Sequence, residues 1–237
     1  MTAKLIYRQY CPLAMSSEFL CQRWTMLILR ELLEGSTSFN DISRGLPRMS
    51  RSLLSRRLKE LVEIGVLEHK NKNPDQNAQY TFTQAGKALE PVVMIMAEWG
   101  QKWLTVEPSV ENIDVDLLMW DIRRHTNPLP FLPNPFIVHI FLNDVPENMA
   151  SHWLVFENND VDLCHIDRNF DVDVEIDIGV RKLTKIWMGW EDFDSAINDG
   201  EMIIEGPKKY TKIASDWFGQ SSVAHIKKIA PSLRLNY

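Results

Sequence analysis

The chain has 237 residues, 45% of them hydrophobic and 24% charged, which is the balance of an ordinary globular protein and enough length for one large or two modest domains. Disordered, collagen-like and disulfide-scaffold classes are excluded, and no apolar run approaches the roughly 20 residues that a membrane span requires. The net charge of −6 hides a division: residues 1–105 hold 14 Lys and Arg against 10 Asp and Glu, whereas residues 106–237 hold 12 against 22.

The opening residues MTAKLIYRQYCPLAM put charged and polar groups where a secretion signal has its apolar core, so the expectation is a cytoplasmic protein with no membrane partner. Cys11, Cys21 and Cys164 form no C-x-x-C pair, which points to neither a disulfide framework nor a zinc ribbon. Apolar residues from Phe19 to Leu33, including Trp24, Leu27, Ile28 and Leu32, follow the spacing of one helix with a buried face. Gly35 and Ser36 end it. A short helix over Phe39–Arg44 is stopped by Gly45 and Pro47, and a second begins after Ser50, a candidate N-cap. In that second helix Leu53, Leu54, Leu58, Leu61, Val62 and Ile64 make the inward stripe, and Gly65 is a candidate C′ residue. Two short helices about a glycine-containing turn are the helix-turn-helix plan.

Between Arg48 and Lys59 stand five basic residues and no acid. With the leucines inward, Arg51, Ser52, Ser55, Arg56 and Lys59 share the opposite face, where arginines and serines can meet base edges or phosphates. Taken alone, the run reads equally as a solvated basic face. The next segment of the chain shifts the balance: VLEHK, a polar turn and QYTFT read as a hairpin, and Lys70 and Lys72 would lie where such a wing meets the DNA backbone. The candidate DNA contacts are therefore Arg48, Ser50, Arg51, Ser52, Ser55, Arg56, Lys59, Lys70 and Lys72. Thr83 then caps a helical stretch to Leu104 with Leu89, Val92, Val93, Met96, Trp99 and Trp103 along one side, a stripe that serves as core or as a dimer seam. Pro91 must kink or divide it.

Residues 106–134 read as a linker: a short helical piece, DVDLLMWDIRR, leads into a run with Pro128, Pro130, Pro133 and Pro135, which fits neither a helix nor a central strand. Beyond it PFIVHIFL, HWLVFEN, VDLCHID, DVDVEIDIG and EMIIEG read as strands, interleaved with helices at 180–188, 192–198 and 208–217. In DVDVEIDI, Val172, Val174, Ile176 and Ile178 face the core and the acids face water. The fold class is α+β, with domains at 1–105 and 135–237.

The segments RWTMLILRELL, FNDISRGLP, LLSRRLKELVEIGVLEH and YTFTQAGKAL, with Cys11-Pro12 before them, resemble the HxlR-type winged helix-turn-helix regulators of bacteria over about the first 105 residues. The resemblance implies a homodimer on an inverted-repeat operator in double-stranded DNA, with helix 50–64 in each major groove. It also implies that Cys11 is a candidate redox sensor, although only Arg8 lies near it in sequence to favour a thiolate. The acidic half, through VRKLTKIWMG, FDSAINDGEMIIEGP and WFGQSSVAHI, resembles the sterol-carrier-protein-2-like domain that some of these regulators carry. That implies an apolar cavity for a small-molecule effector, with Trp153, Phe156, Trp187, Trp190, Trp217 and Phe218 as candidate lining. The same aromatics fit an ordinary core equally well.

No nucleotide-binding, hydrolase or metalloprotease signature occurs, and the six histidines are scattered, so the sequence reads as a regulator, by preference a repressor, with no enzyme activity, cofactor or metal. The rival readings are a hydrophobic-ligand carrier and a constitutive DNA binder with an inert second domain.

Overall fold

A computed structural model describes residues 7–70, 78–105 and 113–236, and side-chain caps open several of its helices. Contacts divide the chain into a unit of residues 1–96 and a unit of residues 97–237.

The first unit opens with α1 (Pro12–Leu20) and α2 (Thr25–Leu33). The single helix expected over this stretch is two, because Trp24 adopts a left-handed φ of 79° that a continuous helix cannot contain. Ile28, Leu29 and Leu32 of α2 are buried, whereas Leu27, expected inside, is 41% exposed. Ser38 caps α3 (Phe39–Arg44) by accepting the amide of Asp41 at 3.1 Å. Ser50 caps α4 (Arg51–Glu63) through the amide of Leu53 at 3.4 Å, and Gly65 follows with a φ of 81°. Leu54, Leu58 and Leu61 of α4 are buried with Ile42 and Leu46; Ile64, at the end of the expected stripe, is exposed.

Strands β1 (Leu67–Lys70) and β2 (Gln79–Phe82) pair antiparallel with Leu67 opposite Phe82. The pair is tied back to the chain before α3, since the Tyr80 amide donates to Thr37 O at 2.8 Å. Thr83 caps α5 (Gln84–Lys87), and α6 (Glu90–Trp103) begins afresh with Pro91 in its first turn, where a missing amide hydrogen costs nothing. Proline thus divides the helical stretch.

In the second unit β3 (Leu104–Thr105) pairs parallel with the terminal strand β9 (Leu235–Asn236). Helix α7 (Val115–His125), in the stretch read as linker, buries Val115, Leu118, Met119 and Ile122 in the unit's core, and Asp114 caps it through Leu117 N at 3.1 Å. The proline run from 126 to 135 carries no helix or strand. Next come β4 (Phe136–Leu142), β5 (Ser151–Glu157), β6 (Asp160–Cys164), β7 (Val174–Ile178), α8 (Val180–Trp187), α9 (Phe193–Asn198), β8 (Met202–Glu205), α10 (Lys208–Thr211) and α11 (Ala214–Phe218). The five-stranded sheet has the order β6-β5-β4-β7-β8, parallel only between β4 and β7. Alternation along β7 matches the sequence pattern: Val174, Ile176 and Ile178 are buried, while Glu175 points away.

Candidate nucleic-acid interface

The helix-turn-helix is α3, the turn 45–50 and α4. Its turn is fixed from behind by α2: Arg30 donates to the carbonyl of Gly45 at 3.1 Å and to the buried Glu31 carboxylate at 2.5 Å. Glu31 is fully buried and also accepts from Ser36 Oγ at 3.4 Å, which balances the cost of its desolvation.

With Leu54, Leu58 and Leu61 held inward, Ser52, Ser55, Arg56 and Lys59 emerge together on the opposite face of α4, all exposed. Arg48, Ser50 and Arg51 are exposed at its N-terminal end. Arg51 is already oriented, donating to Asn40 Oδ1 at 2.9 Å with its guanidinium 4.6 Å from the Phe39 ring centre. Sequence reasoning missed Asn40 and Phe39 as supports, since both lie on the preceding helix. Arg56 and Lys59 stand 3.9 and 3.7 Å from Glu60 and Glu63, exposed one-turn pairs that phosphate can displace at small cost. In the wing Lys70 pairs with Glu68 at 2.7 Å, and His69 stacks on Tyr80 at 4.4 Å. Burial raises the Tyr80 pKa, which keeps its hydroxyl protonated. Lys72 lies outside the described residues.

The six aromatics proposed to line a cavity are not gathered in one place. Trp217 and Phe218 pack with Phe136, Phe156, Tyr210 and Phe193 at centroid distances between 5.2 and 6.2 Å, and Trp187 is buried in the same core. Trp153 leaves β5 on the other side of the sheet from Phe156, because an odd separation on a strand reverses the face; there it stacks on His139 at 4.7 Å. Trp190 is half-buried and donates to Gln101 Oε1 at 3.0 Å. Cys11 is exposed just before α1. Among the described residues no group of three His, Cys, Asp or Glu side chains is placed to hold a metal ion, and no helix is long and apolar enough to cross a membrane.

The profile of the HxlR-like helix-turn-helix family matches residues 19–108, a span that holds all of α2 to α6 and the wing. The HTH-type transcriptional regulator YvaP of Bacillus subtilis is 36% identical over 104 residues, which is 43% of this chain and 94% of YvaP. This chain belongs to the HxlR-like helix-turn-helix family. Another relative, the HTH-type transcriptional regulator Rv3095 of Mycobacterium tuberculosis, is 32% identical over 112 residues, covering 47% of this chain and 68% of its own. The solved structure of reduced YodB from B. subtilis is 32% identical over 39% of this chain and 93% of its own, with a TM-score of 0.35. An HxlR-family chain of this kind is a transcriptional regulator of the helix-turn-helix type, and the exposed face of α4 is where that family character meets the chemistry of this sequence.

Proposed function

We propose that this HxlR-family regulator binds an inverted-repeat operator as a homodimer, represses from it, and reads each half-site with α4. The observation that carries the reading is the placement of Ser52, Ser55, Arg56 and Lys59 on one exposed face, with the α4 leucines buried behind them. Arg56 and Arg51 supply the donors for guanine edges, Ser50 and Arg48 sit at the helix N-terminus where phosphate is favoured, and Lys70 positions the wing on the backbone. Support for the dimer comes from α6, which leaves Val92, Ile95, Met96 and Trp99 between 46 and 65% exposed on one side, a stripe of the kind that a second copy covers.

Selection of genomic fragments by the full-length protein, followed by anisotropy titrations on the enriched repeat, tests this. Arg56→Ala should weaken operator binding by about 1–3 kcal/mol and relax preference at one position, whereas Lys70→Ala should weaken all sequences alike. Two chains per operator are expected. Undiminished affinity in both variants would remove α4 and the wing from the interface.

For the second unit we propose the role its resemblance to a sterol-carrier-like domain implies, an apolar effector held between sheet and helices. What supports it is the concentration of Phe136, Phe156, Tyr210, Trp217 and Phe218 in that layer. Those rings already touch, so a ligand enters only by parting them and must change the emission of Trp217. Unchanged emission and Tm across a panel of fatty acids, sterols and aromatic hydrocarbons would make this unit a packed scaffold instead.

A further inference from the structure

A cavity of about 320 Å³ lies in the first unit between α1, the turn after it and the back of α4. That volume is in the range of small-molecule sites. Its wall mixes polar and apolar surface: Tyr7 precedes α1, Ser17 and Glu18 come from α1, Cys21, Gln22 and Arg23 from the turn, and Arg57 from α4.

Two guanidinium groups, Arg23 and Arg57, stand there with the Glu18 carboxylate, and Glu60 pairs with Arg57 from outside the lining. Glu18 is engaged, since its Oε1 accepts the amide of Tyr7 at 2.9 Å. Arg57 is largely buried; its Nη1 donates to Gln22 Oε1 and, at 2.5 Å, to Glu60 Oε2, while its Nε has no hydrogen-bond partner among the described residues. Arg23 lies 5.2 Å over the Trp24 ring and forms no ion pair among the described residues. Glu60 thus neutralises Arg57, and what the wall leaves unpaired among the described residues is the Arg23 guanidinium and the Nε donor of Arg57. Guanidinium groups so placed suit a carboxylate, which accepts two parallel N–H bonds.

We infer that this cavity binds a small organic carboxylate and that Arg57 relays its occupancy to the recognition helix. Arg57 stands on α4 on the side away from Arg56 and Lys59 and bridges the helix to Gln22 of the turn. A ligand that takes over the guanidinium loosens that bridge and alters how α4 is held. The relay rests on the DNA-binding reading above; the site does not. By linkage, a carboxylate that lowers operator affinity must itself bind less tightly to the DNA-bound protein.

Cys21 in the wall supplies a direct readout. In a full-length Cys11→Ser/Cys164→Ser protein it is the sole thiol. Its labelling by the dianionic 5,5′-dithiobis(2-nitrobenzoate) and by the neutral 4,4′-dithiodipyridine is compared, each rate divided by that of 2-mercaptoethanol, so that access and thiolate fraction cancel. The expected result is a normalised preference for the anionic reagent of about tenfold or more, slowed by millimolar benzoate and lost in Arg23→Gln and Arg57→Gln. Arg23 is exposed, so its variant keeps the test open if Arg57→Gln unfolds. Equal normalised rates, or a preference that survives both variants, would overturn the site. A preference with operator affinity unmoved by benzoate would overturn the relay alone, and absence of any operator binding would count against the DNA-binding reading while the labelling still decided the site.

Discussion

At Gly45 a Cβ would stand 1.9 Å from the Glu31 carboxylate, whose position is fixed by Arg30 and Ser36. The carboxylate is the far end of a long side chain, but it is fully buried, so yielding means breaking its ion pair rather than swinging into water. Gly45→Ala should therefore destabilise the first unit by about 1–3 kcal/mol in urea unfolding and weaken operator binding in step. Gly35→Ala is the control, with φ of 90° and open space around it, so only backbone strain of about 1–2 kcal/mol applies. If Gly45→Ala proves silent, Glu31 has a second buried position. None of this was legible in RELLEG, which reads as one end of an amphipathic helix with its acid outward. A buried carboxylate becomes tolerable only through partners that the fold brings together, one of them on a carbonyl 15 residues away.

Caps were legible because donor and acceptor are three residues apart: Ser50 with Leu53 and Thr83 with Gly86 follow from local chemistry alone. The division between α1 and α2 was not, since nothing in CQRWT announces a left-handed Trp24. Trp153 shows a third case, where strand parity alone separates it from Phe156, yet a list of large aromatics ignores parity. Ser50 has two jobs in this reading, capping α4 and meeting phosphate, and they can be parted. Ser50→Ala removes the cap and should cost about 1 kcal/mol of stability. Ser50→Asp keeps an oxygen acceptor at the N-cap and should retain stability, but it sets a negative charge against the DNA backbone and should lower operator affinity by more than Ser50→Ala does. Thermal melts and operator titrations of the two variants check this. Equal affinity in both would confine Ser50 to capping.

The two units differ in how they should answer acid, and the cause is a pair of histidines in the second unit, the more buried of them His152. His152 is 1% exposed on the core side of β5; its Nε2 is 2.9 Å from Met149 O and its Nδ1 is 3.2 Å from His165 Nδ1. Donation to the carbonyl through Nε2 leaves Nδ1 to accept from His165, a pattern that needs His152 neutral. Burial, chiefly, lowers its pKa below the usual 6.5; His165 and His139 push the same way, against the Met149 bond and Asp116. His139, whose pKa burial also lowers, acts in the same sense. Above about pH 6.5 neither folded nor unfolded chain holds the extra proton and the group is silent. Below it the unfolded chain takes up a proton that the folded core refuses, so stability falls with pH until the folded pKa is passed. Seven of the eight tryptophans lie beyond residue 96, so intrinsic fluorescence follows the second unit almost alone. Its midpoint should drop as the pH falls below about 6.5, and the slope there should be shallower in His152→Gln, which has lost the proton-binding site whatever its stability at neutral pH. A slope unchanged by that substitution would place the acid sensitivity elsewhere, with His139→Gln the next variant to separate the two faces of the sheet.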